Sequence, residues 1–151
     1  MNLLGFYQDI QEKLATNASA VPVYREQFTS VPGTDPETGY ISWAFETNYI
    51  EEVSVGFNGP IEGQMEVAIF SQVEATRYSL LTEVLDIWMP YNVSSEKREG
   101  IGPVQLTNSF LHAIYTEGTI VDLLTDNEGQ PGPDVPGVSI LFRIKVTPGE
   151  A

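Results

Sequence analysis

The stretch GFNGPIEG at residues 56–63 is the part of the sequence whose residue types most suggest a ligand-binding loop. Three glycines and a proline within eight residues are typical of a loop whose backbone amides approach a phosphate. A P-loop, however, places Lys-Ser/Thr directly after its glycines and opens into a helix. Here Glu62 lies inside the stretch, and the strand pattern QMEVAIF follows it. The sequence therefore indicates a loop between two strands and argues against a phosphate site.

The single histidine is the next candidate for chemistry, as a general base. His112 lies in SFLHAIYT, an alternating pattern that predicts a strand, and Ser109 in the same segment is the nearest possible nucleophile. A Ser-His-Asp site of the hydrolase type would also need the nucleophile elbow G-x-S-x-G, which the sequence lacks. A structural or interfacial role for His112 is therefore favoured.

Acidic residues are too numerous to single out a catalytic pair or a cation site. The sequence around Asp126 (DNEG) resembles part of a calcium loop, but it lacks the alternating ligands and the closing glutamate. Cysteine is absent, which excludes disulfides and thiolate ligands, and one histidine excludes a multi-histidine site within one chain. We predict no catalytic, cofactor or metal site, although a divalent ion shared between subunits stays open. The acidic candidates considered are Glu51, Glu52, Asp122, Asp126, Glu128 and Asp134.

The formal net charge of -14 narrows the possible partners. Binding to nucleic acid or to an anionic membrane depends on basic side chains, and the chain has seven Lys and Arg against 21 Asp and Glu. The charge therefore indicates a soluble surface, or one that lies near DNA without adhering to it. No basic, apolar leader and no apolar run of about 20 residues is present, which predicts a soluble protein made in the cytoplasm.

Two helices and several strands must position these residues. Apolar spacing predicts a helix from Leu3 to about Ala15 and a second helix over residues 74–89 that Pro90 ends. The predicted apolar positions of the two helices are Leu3, Leu4, Tyr7, Ile10 and Leu14, and then Tyr78, Leu81, Val84, Leu85 and Trp88.

Alternation predicts the sheet. YISWAFE, QMEVAIFSQV and GVSILFRIKV are the clearest strand patterns, and VPVYREQF reads as a short edge strand because of Pro22. Residues 104–121 are predicted to be one long strand or a hairpin that Gly118 interrupts. The order of the elements predicts a single α+β domain over residues 1–151. Its antiparallel or mixed sheet would have five or six strands, with both helices on one face.

The whole pattern resembles the tail terminator, or tail-completion, proteins of long-tailed bacteriophages. The segments that carry the resemblance are MNLLGFYQDIQEKL, YISWAFE, QMEVAIFSQV, LLTEVLDIW and GVSILFRIKV, and together they span nearly the whole chain. The resemblance implies a non-enzymatic virion protein, assembled in the host cytoplasm, that forms a homohexameric ring at the head-to-tail junction. Its implied partners are the tail-tube protein and the head connector, with DNA passing through the channel without specific binding.

The resemblance also assigns a partner-contact loop. The loop between the two strands is expected to reach the tube or the channel, with Phe57 and Ile61 as its apolar contacts. Its residues are Val55, Gly56, Phe57, Asn58, Gly59, Pro60, Ile61, Glu62, Gly63 and Gln64. Two alternatives stay open: another neck protein of the virion, and an acidic inhibitor that mimics DNA.

Overall fold

A computed structural model describes residues 3–18, 21–26, 38–47, 60–116, 120–123 and 135–148 of the chain. The helices are α1 (Leu3–Asn17) and α2 (Glu74–Trp88). The strands are β1 (Val23–Arg25), β2 (Tyr40–Thr47), β3 (Ile61–Phe70), β4 (Tyr91–Asn92), β5 (Lys97–Arg98), β6 (Val104–Gln105), β7 (Ser109–Thr116), β8 (Val121–Leu123) and β9 (Gly137–Pro148).

The described strands form one mixed sheet of seven strands and a separate two-stranded hairpin, β4–β5. The order across the sheet is β1-β2-β3-β9-β7-β6, and β8 also pairs with β9. Every pair in the sheet is antiparallel except β1 with β2, which is parallel. The last strand of the described chain, β9, therefore lies at the centre of the sheet, between β3 on one side and β7 with β8 on the other.

Both helices cover one face of the sheet, as the sequence predicts. The core joins alternate residues of the central strands to one side of each helix, and its largest members are fully buried. Phe6 of α1 meets Phe45 of β2 edge to face at 5.1 Å. Gln11 of α1 donates a hydrogen bond to the Val23 carbonyl and accepts one from the Trp43 indole, each at 2.8 Å, which fixes α1 over the edge of the sheet. The α+β prediction is confirmed.

Two predicted core positions are wrong because the helices turn slightly different faces inward. Leu4 is 60% exposed, and Phe6, which the sequence pattern passes over, takes its place in the core. Tyr78 is 41% exposed, and its hydroxyl donates a 2.9 Å hydrogen bond to Asp122 of β8. Leu80 is buried instead. Tyr78 lies at this polar rim because its hydroxyl finds a hydrogen-bond acceptor there.

The segment after residue 104 is neither one uninterrupted strand nor a simple hairpin. β6 and β7 form a short antiparallel pair, whereas β7 and β8 lie in line along the same edge of β9: Thr116 pairs with Phe142, and Val121 pairs with Ser139. A register shift between Leu111 and Ala113 makes His112 the extra residue of a β-bulge. The bulge allows Leu111 and Ile114, three residues apart, both to face the core.

Candidate functional site

The end of the predicted partner-contact loop overlaps the start of a strand. Val55 to Gly59 lie outside the described residues, and Pro60 is exposed immediately before β3. Ile61 to Gln64 belong to β3, which begins at Ile61 rather than at Gln64. Ile61 is buried, and its backbone pairs with Val146. It is therefore a core residue, and its role as an apolar contact of the loop stays a prediction.

Gly63 serves packing between strands rather than loop flexibility. A Cβ at this position would lie 2.3 Å from the Glu46 carbonyl oxygen and 2.5 Å from the Phe45 ring. Both distances are far below van der Waals contact, and one of the atoms belongs to the backbone of the neighbouring strand. The phenyl ring of Phe45 therefore uses the space that the missing side chain leaves free.

We expect Gly63→Ala to lower the free energy of unfolding by roughly 1–3 kcal/mol, because the added methyl group must displace a core ring and a strand. Urea denaturation followed by circular dichroism measures this loss. Glu62→Ala, at the preceding and half-buried position, is the matched control and should change stability little. An unchanged midpoint for Gly63→Ala would show that the space at Phe45 is not needed.

The sheet face opposite the helices carries ionisable groups at its centre. Across β3 and β9, Glu62 pairs with Lys145, Gln64 with Arg143, and Glu66 with Leu141. Across β2 and β3, Ala44 pairs with Glu66 and Glu46 with Gln64. We call this surface the open sheet face. It holds a groove of about 390 Å³, here named the carboxylate groove, which is lined by Ala44, Glu46, Gln64, Glu66 and Leu141.

Two glutamates of like charge share the carboxylate groove. Burial, together with the nearby Glu46 carboxylate, raises the pKa of Glu66 above its ordinary value. Within the described part of the chain, neither carboxylate has an ion-pair partner; the one ion pair found there joins Arg98 to Asp86. The groove is thus a half-buried site of negative charge in which the ionised form of Glu66 is disfavoured in the isolated fold.

We expect Glu66→Gln to raise the thermal unfolding midpoint of the isolated chain at pH 7. The folded-state pKa of Glu66 is raised, so the fold binds this proton more tightly than the unfolded chain does. The cost of ionisation is therefore fully present above the raised pKa and is gone below the ordinary glutamate pKa of about 4.3. Melting curves of both proteins at low concentration, from pH 3 to pH 8, should converge at the acidic end. A difference that does not depend on pH would contradict this origin.

The β4–β5 hairpin projects from the end of α2 and is firmly anchored. The Arg98 guanidinium donates to the Asp86 carboxylate at 2.7 Å and to the Met89 carbonyl at 3.0 Å, beside the last turn of α2. Asn92 donates to the Glu99 carboxylate at 2.8 Å and accepts from the Ser94 backbone amide at 2.9 Å. A held hairpin of this kind presents its outward side chains in fixed positions.

Those outward side chains combine apolar surface with the charged groups of Glu96 and Lys97. Val93 is 79% exposed and Tyr91 is 55% exposed, among the most exposed large apolar residues of the described chain. Lys97 is also exposed, and no ion pair to it is found among the described residues. The sequence shows the cluster of Lys97 and Arg98 but not that one of the two is used to anchor the hairpin and the other is left outward.

Asp9 forms a buried polar cluster that sequence reasoning missed. Its carboxylate, 2% exposed, accepts hydrogen bonds from the Asn108 backbone amide at 3.0 and 3.1 Å, from the Asn108 side-chain amide at 3.1 Å, and from the Ser109 hydroxyl. The cluster ties α1 to the turn between β6 and β7. An aspartate between the buried positions Phe6 and Ile10 is the signal that points to it.

The structure separates the residues that a serine hydrolase would bring together. Ser109 faces the core side of β7 and donates to Asp9, whereas the His112 ring lies on the open sheet face, 2.6 Å from the Thr147 hydroxyl. His112 also packs edge to face on Phe110 at 4.8 Å between the ring centroids. Its contacts join β7 to β9, which fits the structural role predicted for it.

Of the predicted acidic candidates, only Asp122 lies among the described residues, where it accepts the Tyr78 hydroxyl. No group of three or more His, Asp or Glu suited to a metal ion occurs in the described ranges. None of the helices described is long and apolar enough to span a bilayer.

Comparisons with known proteins identify a similar fold in a solved structure. No protein-family model matches the sequence, and no curated protein matches it. Among solved structures, the chain is similar to one in a structure described as the virion of a native gene transfer agent (GTA) particle, with a TM-score of 0.51 and 13% sequence identity. The match covers 93% of this chain and 90% of the other. At this identity the similarity establishes a shared fold, and that fold is found in a chain of a virion.

Proposed function

We propose that this chain is a virion structural protein that forms a ring, ends the growth of the tail tube and provides the joining surface for the head. The observation that carries the proposal is the fold shared with a virion chain over nearly the full length of both. A likeness of that extent concerns the whole arrangement of helices and sheet rather than a common substructure. The order of the elements independently resembles that of the tail terminators.

The charge of the chain supports a position around exiting DNA. A ring of six copies would carry 6 × -14 = -84 formal charges. Such a ring repels the DNA phosphates instead of binding them, because counterion-release binding requires clustered cations. DNA would then pass the ring without being held by it.

We assign the contact with the tube to Val55–Pro60, since Ile61 belongs to the core. Phe57 is the apolar residue of this segment, and its glycine neighbours give the backbone freedom to fit a partner. Deletion of residues 58–60 should leave a folded protein that no longer caps the tube. A deletion that extended into Ile61 would test folding instead.

The decisive experiment combines the purified chain with a tail-tube protein from the same genome. We expect light scattering and negative-stain electron microscopy to show rings, and tubes of limited length with rings at their ends. A strict monomer that neither assembles nor limits tube length would refute the proposal. Rings that bind the head connector but not the tube would identify another neck protein. Salt-sensitive binding to a DNA-binding protein, without rings, would identify a DNA mimic.

A further inference from the structure

We propose that the β4–β5 hairpin of one copy docks into the carboxylate groove of the neighbouring copy, so that Lys97 meets Glu46 and Glu66. The occupant of the groove is thus a second copy of this chain. The inference rests on the proposed ring and adds the contact by which the ring closes.

The groove and the hairpin complement each other in charge and in polarity. The groove offers two carboxylates that lack an ion-pair partner among the described residues, beside the apolar side chains of Ala44 and Leu141. The hairpin offers the exposed ammonium group of Lys97, and it also carries the exposed side chains of Val93 and Tyr91. A cation that enters the groove relieves the repulsion between the two glutamates and offsets the burial that already disfavours the ionised form of Glu66.

Lys97 is the best placed of the seven basic residues for this contact. Three of the arginines are engaged within the chain: Arg98 with Asp86, Arg77 with the Ser71 carbonyl, and Arg25 over the Tyr7 ring. Two more cations, Arg143 and Lys145, lie on the open sheet face itself. Lys13 is half-buried on α1. Among the seven, Lys97 alone is an exposed residue of the hairpin with no ion pair found in the described part of the chain.

The positions of the two surfaces determine the kind of assembly. The hairpin contacts the end of α2, on the helix side of the molecule, while the groove lies on the opposite face of the sheet. One chain cannot place its own hairpin in its own groove. A contact between two different patches is heterologous, and heterologous contacts produce rings when the rotation closes.

Charge reversal in the hairpin and, separately, in the carboxylate groove tests the contact. We expect Lys97→Glu and Glu66→Lys each to weaken self-association about tenfold or more, as measured by sedimentation velocity over a concentration series. The double variant restores the opposite charges and should recover most of the loss. Lys13→Glu makes the same change in net charge on α1 and should associate like the wild type. Thermal melts confirm folding, and the exposed Glu46→Lys replaces Glu66→Lys if the latter fails to fold.

The outcomes separate this contact from the proposed function. If each variant with one substitution forms rings and self-associates as tightly as the wild type, the contact is overturned and the proposed tail-terminating ring is unaffected. A variant that still forms rings but no longer caps the tube would place the groove against the tube protein, which also overturns the contact. A wild-type chain that stays monomeric with and without tube protein would refute the ring itself. Weaker self-association in both single-substitution variants, with recovery of self-association in the double variant, supports the contact.

Discussion

Phe142→Ala should lower the free energy of unfolding by roughly 3–5 kcal/mol. Phe142 is fully buried in the middle of β9 and pairs with Met65 of β3 on one side and with Thr116 of β7 on the other. Truncation leaves a cavity where the central strand joins the two halves of the sheet. Because the backbone is hydrogen-bonded on both sides, it has little freedom to collapse into the space.

Equilibrium urea unfolding, monitored by tryptophan fluorescence and by circular dichroism, measures this loss. Lys145→Ala is the matched control, since Lys145 lies on the same strand but is exposed, and it should change stability by no more than about 0.5 kcal/mol. A loss below about 1 kcal/mol for Phe142→Ala would mean that the core around β9 is loosely packed.

Asp9→Ala should cost roughly 2–4 kcal/mol, mostly because of the donors that it leaves behind. The Asn108 amide and the Ser109 hydroxyl both donate to the buried carboxylate, and alanine offers neither of them an acceptor. The turn between β6 and β7 should then detach from α1. Hydrogen exchange at residues 106–109, compared with exchange in β3, distinguishes this local loosening from a uniform loss of stability.

Asp9→Asn keeps one acceptor oxygen and should fall between the wild type and Asp9→Ala. Glu12→Ala, one turn further along α1 and exposed, is the control for a lost carboxylate and should be nearly neutral. Equal effects of the Asn and Ala substitutions would show that the charge of Asp9, rather than its hydrogen bonds, stabilises the turn.

The clearest strands could be predicted because each buries one face. In β2 and β3, alternate side chains such as Trp43 and Val67 point into one core, and a period of two is then visible in the sequence. The two helices could be predicted because each also buries one side, at helical spacing. Pro90 marks the end of the second helix.

The features that could not be predicted depend on neighbours in space. The parallel pairing of β1 with β2, the bulge at His112 and the burial of Asp9 are set by partners many residues away. The same holds for the candidate site. The sequence shows Glu66 and Lys97 as ordinary surface charges. Only the pairing of Ala44 with Glu66 and of Glu46 with Gln64 brings two carboxylates into one groove.

The central position of β9 has a consequence for the order in which the chain folds. Before residue 137 is available, β3 and β7 each expose a long unpaired edge, and the two halves of the sheet have no strand to join them. Pairings between strands so distant in sequence form slowly, because the long loops must close first. The nascent chain would therefore depend on its final described strand before either edge is protected, which makes premature self-association during synthesis its main hazard.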